Sequence, residues 1–160
     1  DAQADLYEVT QDLCDAAGLP AYEISNHAAA PAYASVHNNI YWTGGDWIGV
    51  GPGAHGRLTI DGVRYASEAA RRPQAYIEAP TAPRVALSQL ESAREYLAMG
   101  LRPVHGLSLP RLQALSGTLL DADRLAGLAE AGLVRTDGEC LALTKAGRLL
   151  ADYVAGQLTP

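Results

Sequence analysis

The chain has 160 residues, of which 48% are apolar and 19% charged, and its formal net charge is −6. That length carries one domain of common size, or one small domain and part of another, and the composition excludes a disordered chain. The acidic balance, with no basic run beyond Arg71-Arg72, excludes nucleic acid as a default partner.

Cys14 and Cys140 lie far apart and in no metal-ligand spacing, so they read as buried or incidental thiols rather than a disulfide framework. No apolar run reaches the ~18 residues that read as a membrane span, and no signal peptide is visible. These features point to a cytoplasmic protein. The chain starts at Asp1, without Met and inside a helical pattern, as if cut from something longer.

Leu6, Val9, Leu13 and Ala16 recur at helical spacing, and Gly18 sits where a C-cap glycine belongs. "AYEIS" (residues 21–25) then predicts a short strand, which gives one helix–glycine–strand repeat of α/β rhythm. From Asn26 to Gly45 no period is sustained. A loop of that length is functional or disordered, and its aromatics argue against disorder. "DWIGVG" (46–51) predicts a second strand. "RLTI-DG-VRYA" predicts a hairpin turning at Asp61-Gly62, and a short helix follows over 73–78 with Pro73 at its start.

"APTAPR" reads as a linker, dividing the chain into residues 1–80 and 81–160. Beyond it a helix is predicted from about Pro83 to Met99, with Ala86, Leu90, Ala93 and Leu97 as its stripe. "GLRPVHG" breaks it. Two short helices capped by Ser108 and Asp121 come next, then a hairpin around Asp137-Gly138. A last helix capped by Thr144 carries Leu149, Leu150, Tyr153 and Val154. This order is winged-helix-like. The element placed to read DNA, "DADRLAGLAE", holds three acids and one base, so packing or partner contact is the preferred role.

Two motifs carry chemistry. "GPGAHG" (51–56) matches G-x-G-x-x-G, but a hairpin follows where a dinucleotide site needs a helix. Gly49, Gly51, Gly53 and Gly56 fit either a tight bend or the close approach of a flat ligand. "HNNIYW" sets His37 and Asn38 beside Tyr41 and Trp42. An imidazole can ligate haem iron, an amide can fix an edge and aromatic faces can stack on a macrocycle. A lone loop histidine, however, is more often a hydrogen-bonding residue than a metal ligand. His27 and His55 have no spacing to His37 that predicts a joint site, and His105 lies at a helix hinge. No nucleophile with a visible base partner, and no carboxylate pair, stands out.

"YEISNHA", "HNNIYW" and "GDWIGVGPGAHG", in that order, resemble the C-terminal part of the oxygen-independent coproporphyrinogen III oxidase-like family of radical-SAM proteins. "HNNIYW" is similar to the H-N-x-x-Y-W pattern of its haem-chaperone branch. "MGLRPVHGLSL" and "LAGLAEAGLVRTDGECLALTKAGRLLAD" resemble that family's C-terminal domain. The resemblance implies an α/β (α+β) fragment: the end of an incomplete (β/α) barrel over 1–80 and a winged-helix-like domain over 81–160.

It also implies haem, S-adenosylmethionine and a [4Fe-4S] cluster as the longer protein's ligands. His37, Asn38, Tyr41 and Trp42 would be the haem motif, with His37 the iron ligand. Gly51, Gly53, Ala54 and His55 would line the S-adenosylmethionine edge. The implied functions are haem delivery to acceptor proteins or, in the other branch, radical decarboxylation of a porphyrinogen. A winged-helix interaction module is the third alternative. The resemblance leaves room for peripheral membrane contact of the longer protein, and exposed strand edges invite a homodimer. The family's C-x-x-x-C-x-x-C cluster motif is absent from this chain, so it is expected to be catalytically inactive alone.

Overall fold

A computed structural model describes residues 2–159. The fold mixes helix and sheet. Helix α1 (Ala2–Ala16) ends at Gly18, whose φ of 74° is the left-handed turn expected there. Its apolar stripe, however, faces solvent: Leu6, Val9 and Leu13 are all exposed. The opposite side meets the rest of the protein through polar groups. Gln11 is buried, Asp12 pairs with Lys145 at 3.0 Å, and burial raises the Tyr7 phenol above its ordinary range against the opposing charge of Arg148.

"AYEIS" does not form a strand. It folds back on itself through Tyr22 N–H to Asn26 O and Ala28 N–H to Pro20 O, leaving two isolated bridges, Ala21 with His27 and Glu23 with Pro103. Extended backbone becomes a strand only beside a ladder partner, and none of the described residues supplies one. "DWIGVG" differs for the same reason. Trp47 exchanges both backbone bonds with Arg57, and the chain then crosses over. A Cβ on Gly49 would lie 2.1 Å from the His55 carbonyl oxygen, so only glycine makes that crossing.

The predicted hairpin is present as β1 (His55–Ile60) and β2 (Val63–Glu68), antiparallel with Ile60 opposite Val63. Asp61 and Gly62 both have positive φ, the paired left-handed geometry that matches strand twist. Helix α3 (Pro73–Glu78) lies where its proline placed it. The stretch expected to begin a long helix at Pro83 instead forms β3 (Arg84–Ala86), antiparallel to β2. The helix α4 (Gln89–Gly100) starts later because Ser88 and Glu91 form a reciprocal capping box.

After Leu101 come β4 (Leu107–Ser108), α5 (Leu109–Ser116), α6 (Ala122–Glu130), β5 (Val134–Thr136) and β6 (Cys140–Leu143). Ser108 and Asp121 cap α5 and α6 as expected. The second sheet has the order β4-β6-β5, all antiparallel. The single final helix is two, α7 (Lys145–Arg148) capped by Thr144 and α8 (Ala151–Leu158), with Leu149, Leu150 and Tyr153 exposed and Val154 buried.

Among the described residues the main hydrophobic cluster lies in this second half. Tyr96, Leu97, Leu112, Leu128, Leu141 and Val154 are among its members, and the first half lends it the partly buried Ile24. Truncating Leu97, 1% exposed, to alanine is therefore expected to cost about 2–5 kcal/mol in urea unfolding. Leu13→Ala, at a site 67% exposed, should change stability by less than ~0.5 kcal/mol. Equal costs at the two sites would mean that α1 buries its stripe.

Candidate functional site

The His37 segment is a helix. Ser35 caps it by accepting a hydrogen bond from Asn38 N–H at 3.2 Å, and α2 runs from Val36 to Trp42. At 3.6 residues per turn, H-N-x-x-Y-W becomes two i,i+4 pairs on neighbouring faces. His37 and Tyr41 meet edge to face, with ring centroids 4.5 Å apart and planes at 86°. Tyr41 in turn meets Trp47 at 4.5 Å and 89°. His37 itself remains exposed.

Asn38 and Trp42 point to the other side. The Asn38 amide donates to the Tyr22 hydroxyl at 3.5 Å. The Trp42 ring lies under the Arg102 guanidinium at 4.8 Å, and its buried Nε1 has no hydrogen-bond partner among the described residues. The four motif residues thus share one helix but not one surface.

Guanidinium groups hold this helix. Its end is closed by backbone bonds from Thr43, Gly44 and Gly45 to Asn39, Tyr41 and Ile40, and arginines take the carbonyl oxygens of that turn. Arg111 of α5 donates to Thr43 O at 2.8 Å and Gly44 O at 3.0 Å. Arg64 of β2 donates to Gly44 O and Gly45 O at 3.3 and 3.2 Å. Gly44 has φ 64°, and a Cβ there would lie 3.0 Å from the Tyr96 ring, so this turn needs glycine. Arg57 and Arg64 both lie 5.6 Å from the Trp47 centroid and share Glu95 of α4, at 2.7 and 3.3 Å. Asp46 accepts from Thr59 twice and from Arg64.

Behind the cluster, Tyr41, Arg64, Glu95, Tyr96, Met99 and Arg111 line a cleft of ≈ 190 Å³. Small-molecule pockets run to about 300–1,000 Å³, so this cleft is too narrow for a macrocycle.

The glycine turn forms a second locus, joined to the first through Trp47 and β1. Gly51 and Gly53 have φ of 111° and 69°. Gly53 N–H donates to Ala70 O, Ala69 N–H donates to Ala54 O, and Gly51 N–H donates to the Tyr76 hydroxyl at 3.3 Å. A side chain on Gly51 would meet nothing within 4 Å, so its backbone is open on that side. His55 is exposed, 4.0 Å from Glu68, whose carboxyl is held below its ordinary range by the hydrogen bond from Arg71.

Among the described residues no group of three or more His, Cys, Asp or Glu side chains could hold a metal, and both cysteines are free. His27 buries an unpartnered Nε2, and His105 is exposed at the hinge. Tyr22, Arg57, Arg64, Glu95, Arg102 and Arg111 were not foreseen. Arg57 and Arg64 carried one signal, since hairpin register puts them on one face; the others meet α2 only through tertiary folding.

The HemN C-terminal domain family matches residues 87–150, from the start of α4 through the second sheet and α7. A heme chaperone HemW of Mycobacterium tuberculosis is 35% identical over 99% of this chain and 40% of its own length. The mitochondrial radical S-adenosyl methionine domain-containing protein 1 of Dictyostelium discoideum is 31% identical over 94% of the chain and 40% of its length. The chain is thus a HemN/HemW-like radical-SAM protein, of which it represents the C-terminal portion. The solved structure of Escherichia coli coproporphyrinogen III oxidase, HemN, shares the fold, with a TM-score of 0.50 and 18% identity over 92% of this chain and 33% of that one. The chain spans about 40% of the length of the curated relatives it matches.

Glu95 is the keystone of the cation cluster. Glu95→Gln leaves Arg57 and Arg64 half without countercharge, and the expected cost is roughly 1–3 kcal/mol, below that for a fully buried pair. Urea unfolding followed by tryptophan fluorescence measures it. A cost near zero would mean that the cluster contributes contact without stability.

Proposed function

We propose that this chain is the haem-handling C-terminal portion of a haem chaperone. The observation that carries the reading is the helical H-N-x-x-Y-W motif, which presents an exposed imidazole at the edge of a fixed aromatic cluster. His37 is the iron ligand in this proposal. Tyr41 supports the imidazole by its ring edge, and Asn38 and Trp42 hold the helix from behind. Haem is cargo here, passed on to acceptor proteins. The HemW relatives support that class, whereas the likeness to an oxidase is one of fold.

S-adenosylmethionine fits the second locus. Gly51, Gly53, Ala54 and His55 would form an edge of its site, where bare backbone permits close approach. When bound there it would supply the radical-generating group of the longer protein. A [4Fe-4S] cluster does not fit this chain, because Cys14 and Cys140 do not make up a set of thiolates. The proposed division near Pro80 separates this ligand-bearing part from a winged-helix-like module that binds partners, in a cytoplasmic protein.

Titrating haem into the chain and into its His37→Ala variant tests the proposal. The expected result is a Soret shift that the variant loses. An equal shift in both would remove His37 as the ligand. With both proteins folded by circular dichroism, no shift in either would sink haem ligation on this chain.

A further inference from the structure

Arg102 sits in the hinge that ends α4, and the hinge is fastened to the first half of the chain. Its backbone N–H returns to Met99 O, the adjacent Pro103 bridges to Glu23, and Val104 N–H donates to Tyr22 O at 3.1 Å. These contacts aim the Arg102 side chain at three groups. Its Nη2 donates to Ser25 Oγ at 3.3 Å, its Nε lies 3.7 Å from Glu23 Oε2, and its flat face lies 4.8 Å from the Trp42 centroid.

Glu23 has no solvent exposure at all. Its Oε1 accepts from Ser25 N–H and the Asn26 amide, while its Oε2 has no hydrogen bond and pairs with Arg102. A buried carboxylate needs a cation. A lysine would serve that need as a point charge, but it could not lie as a plate on an indole. Trp42, whose Nε1 has no acceptor among the described residues, is oriented through its ring: Arg102 on the face and Tyr41 at 6.4 Å. The same face of α2 carries Asn38, tied to Tyr22.

We propose that Arg102 is a positioning residue for the motif helix: its guanidinium face fixes the Trp42 ring, and Trp42 fixes the rotation of α2 that presents His37. The C-terminal half thereby sets the direction of the candidate ligand without touching it. The consequence for haem rests on the function proposed above; the effect on Trp42 does not.

The test uses the 160-residue chain. Trp47→Phe leaves Trp42 as the one tryptophan, and its near-ultraviolet circular dichroism reports the ring's fixed surroundings. Arg102→Lys keeps the charge facing Glu23, and Arg102→Met removes it. If Arg102→Met does not fold, Glu23→Gln with Arg102→Met removes charge and partner together. Both Arg102→Lys and the folded methionine variant are expected to lose the Trp42 signal. With Trp47 intact, both should weaken His37-dependent haem binding about tenfold, while Arg102→Lys melts close to the parent.

An unchanged Trp42 signal in both would overturn the proposal. A lost signal with unaltered haem affinity would overturn the presentation of His37. A parent without any His37-dependent Soret shift would defeat the haem reading alone, and the Trp42 signal would still decide the role of Arg102.

Discussion

None of the described residues of the motif helix belongs to the hydrophobic core. What holds α2 is charge meeting carbonyl and ring: Arg64 and Arg111 on the carbonyl oxygens of the 43–45 turn that follows it, Arg102 on Trp42, and Arg57 with Arg64 around Trp47. Guanidinium suits this work because it is planar, always charged and weakly hydrated, so it can bond at its edge and stack on its face at once. Arg64 does both. Glu95 then brings two of these cations to α4, the first helix of the well-packed half.

This arrangement divides the labour between the two halves. Residues 93–158 form a compact apolar core with capped helices and a small antiparallel sheet. The first half contributes the candidate ligand positions and borrows its rigidity across a polar seam. Around the motif helix the seam includes Tyr22, Glu23 and Arg102 at the hinge, the 43–45 turn between β2 and α5, and Glu95 between the hairpin and α4; Asp12 with Lys145 adds a contact from α1. Each of these places joins a residue of the first half to one beyond Pro80.

What was legible in the sequence was what is local. Asp61-Gly62 and Asp137-Gly138 announced their turns, Pro73 its helix, and Ser108, Asp121 and Thr144 their caps, because each acts within a few residues. The Ser88–Glu91 box was equally local, yet it was overridden by the alanines and leucines read as a longer stripe. "AYEIS" and "DWIGVG" have strand-forming residues, but pairing is not a local property. The helix over 36–42 escaped because seven residues hold less than two turns of period, although Ser35 stood in front as a cap. That helix also changes the meaning of the motif. Read as a loop, its four residues converge on one ligand; read as a helix, they divide between a presented pair and a fastened pair. The contacts of Arg102 and Arg111 were beyond sequence, since they reach Trp42 and Thr43 from 60 and 68 positions along the chain.

The polar seam also has a thermal character of its own. Burial of apolar surface gives folding its large heat-capacity change, and hence a grip that varies strongly with temperature. A joint made of ion pairs, carbonyl bonds and cation–ring contacts exposes a smaller share of hydrocarbon when it parts than an aliphatic core does. Its strength therefore follows a flatter curve than that of the core beside it. The tether on the motif helix and the core that anchors it thus respond to cold and heat as different materials within one chain.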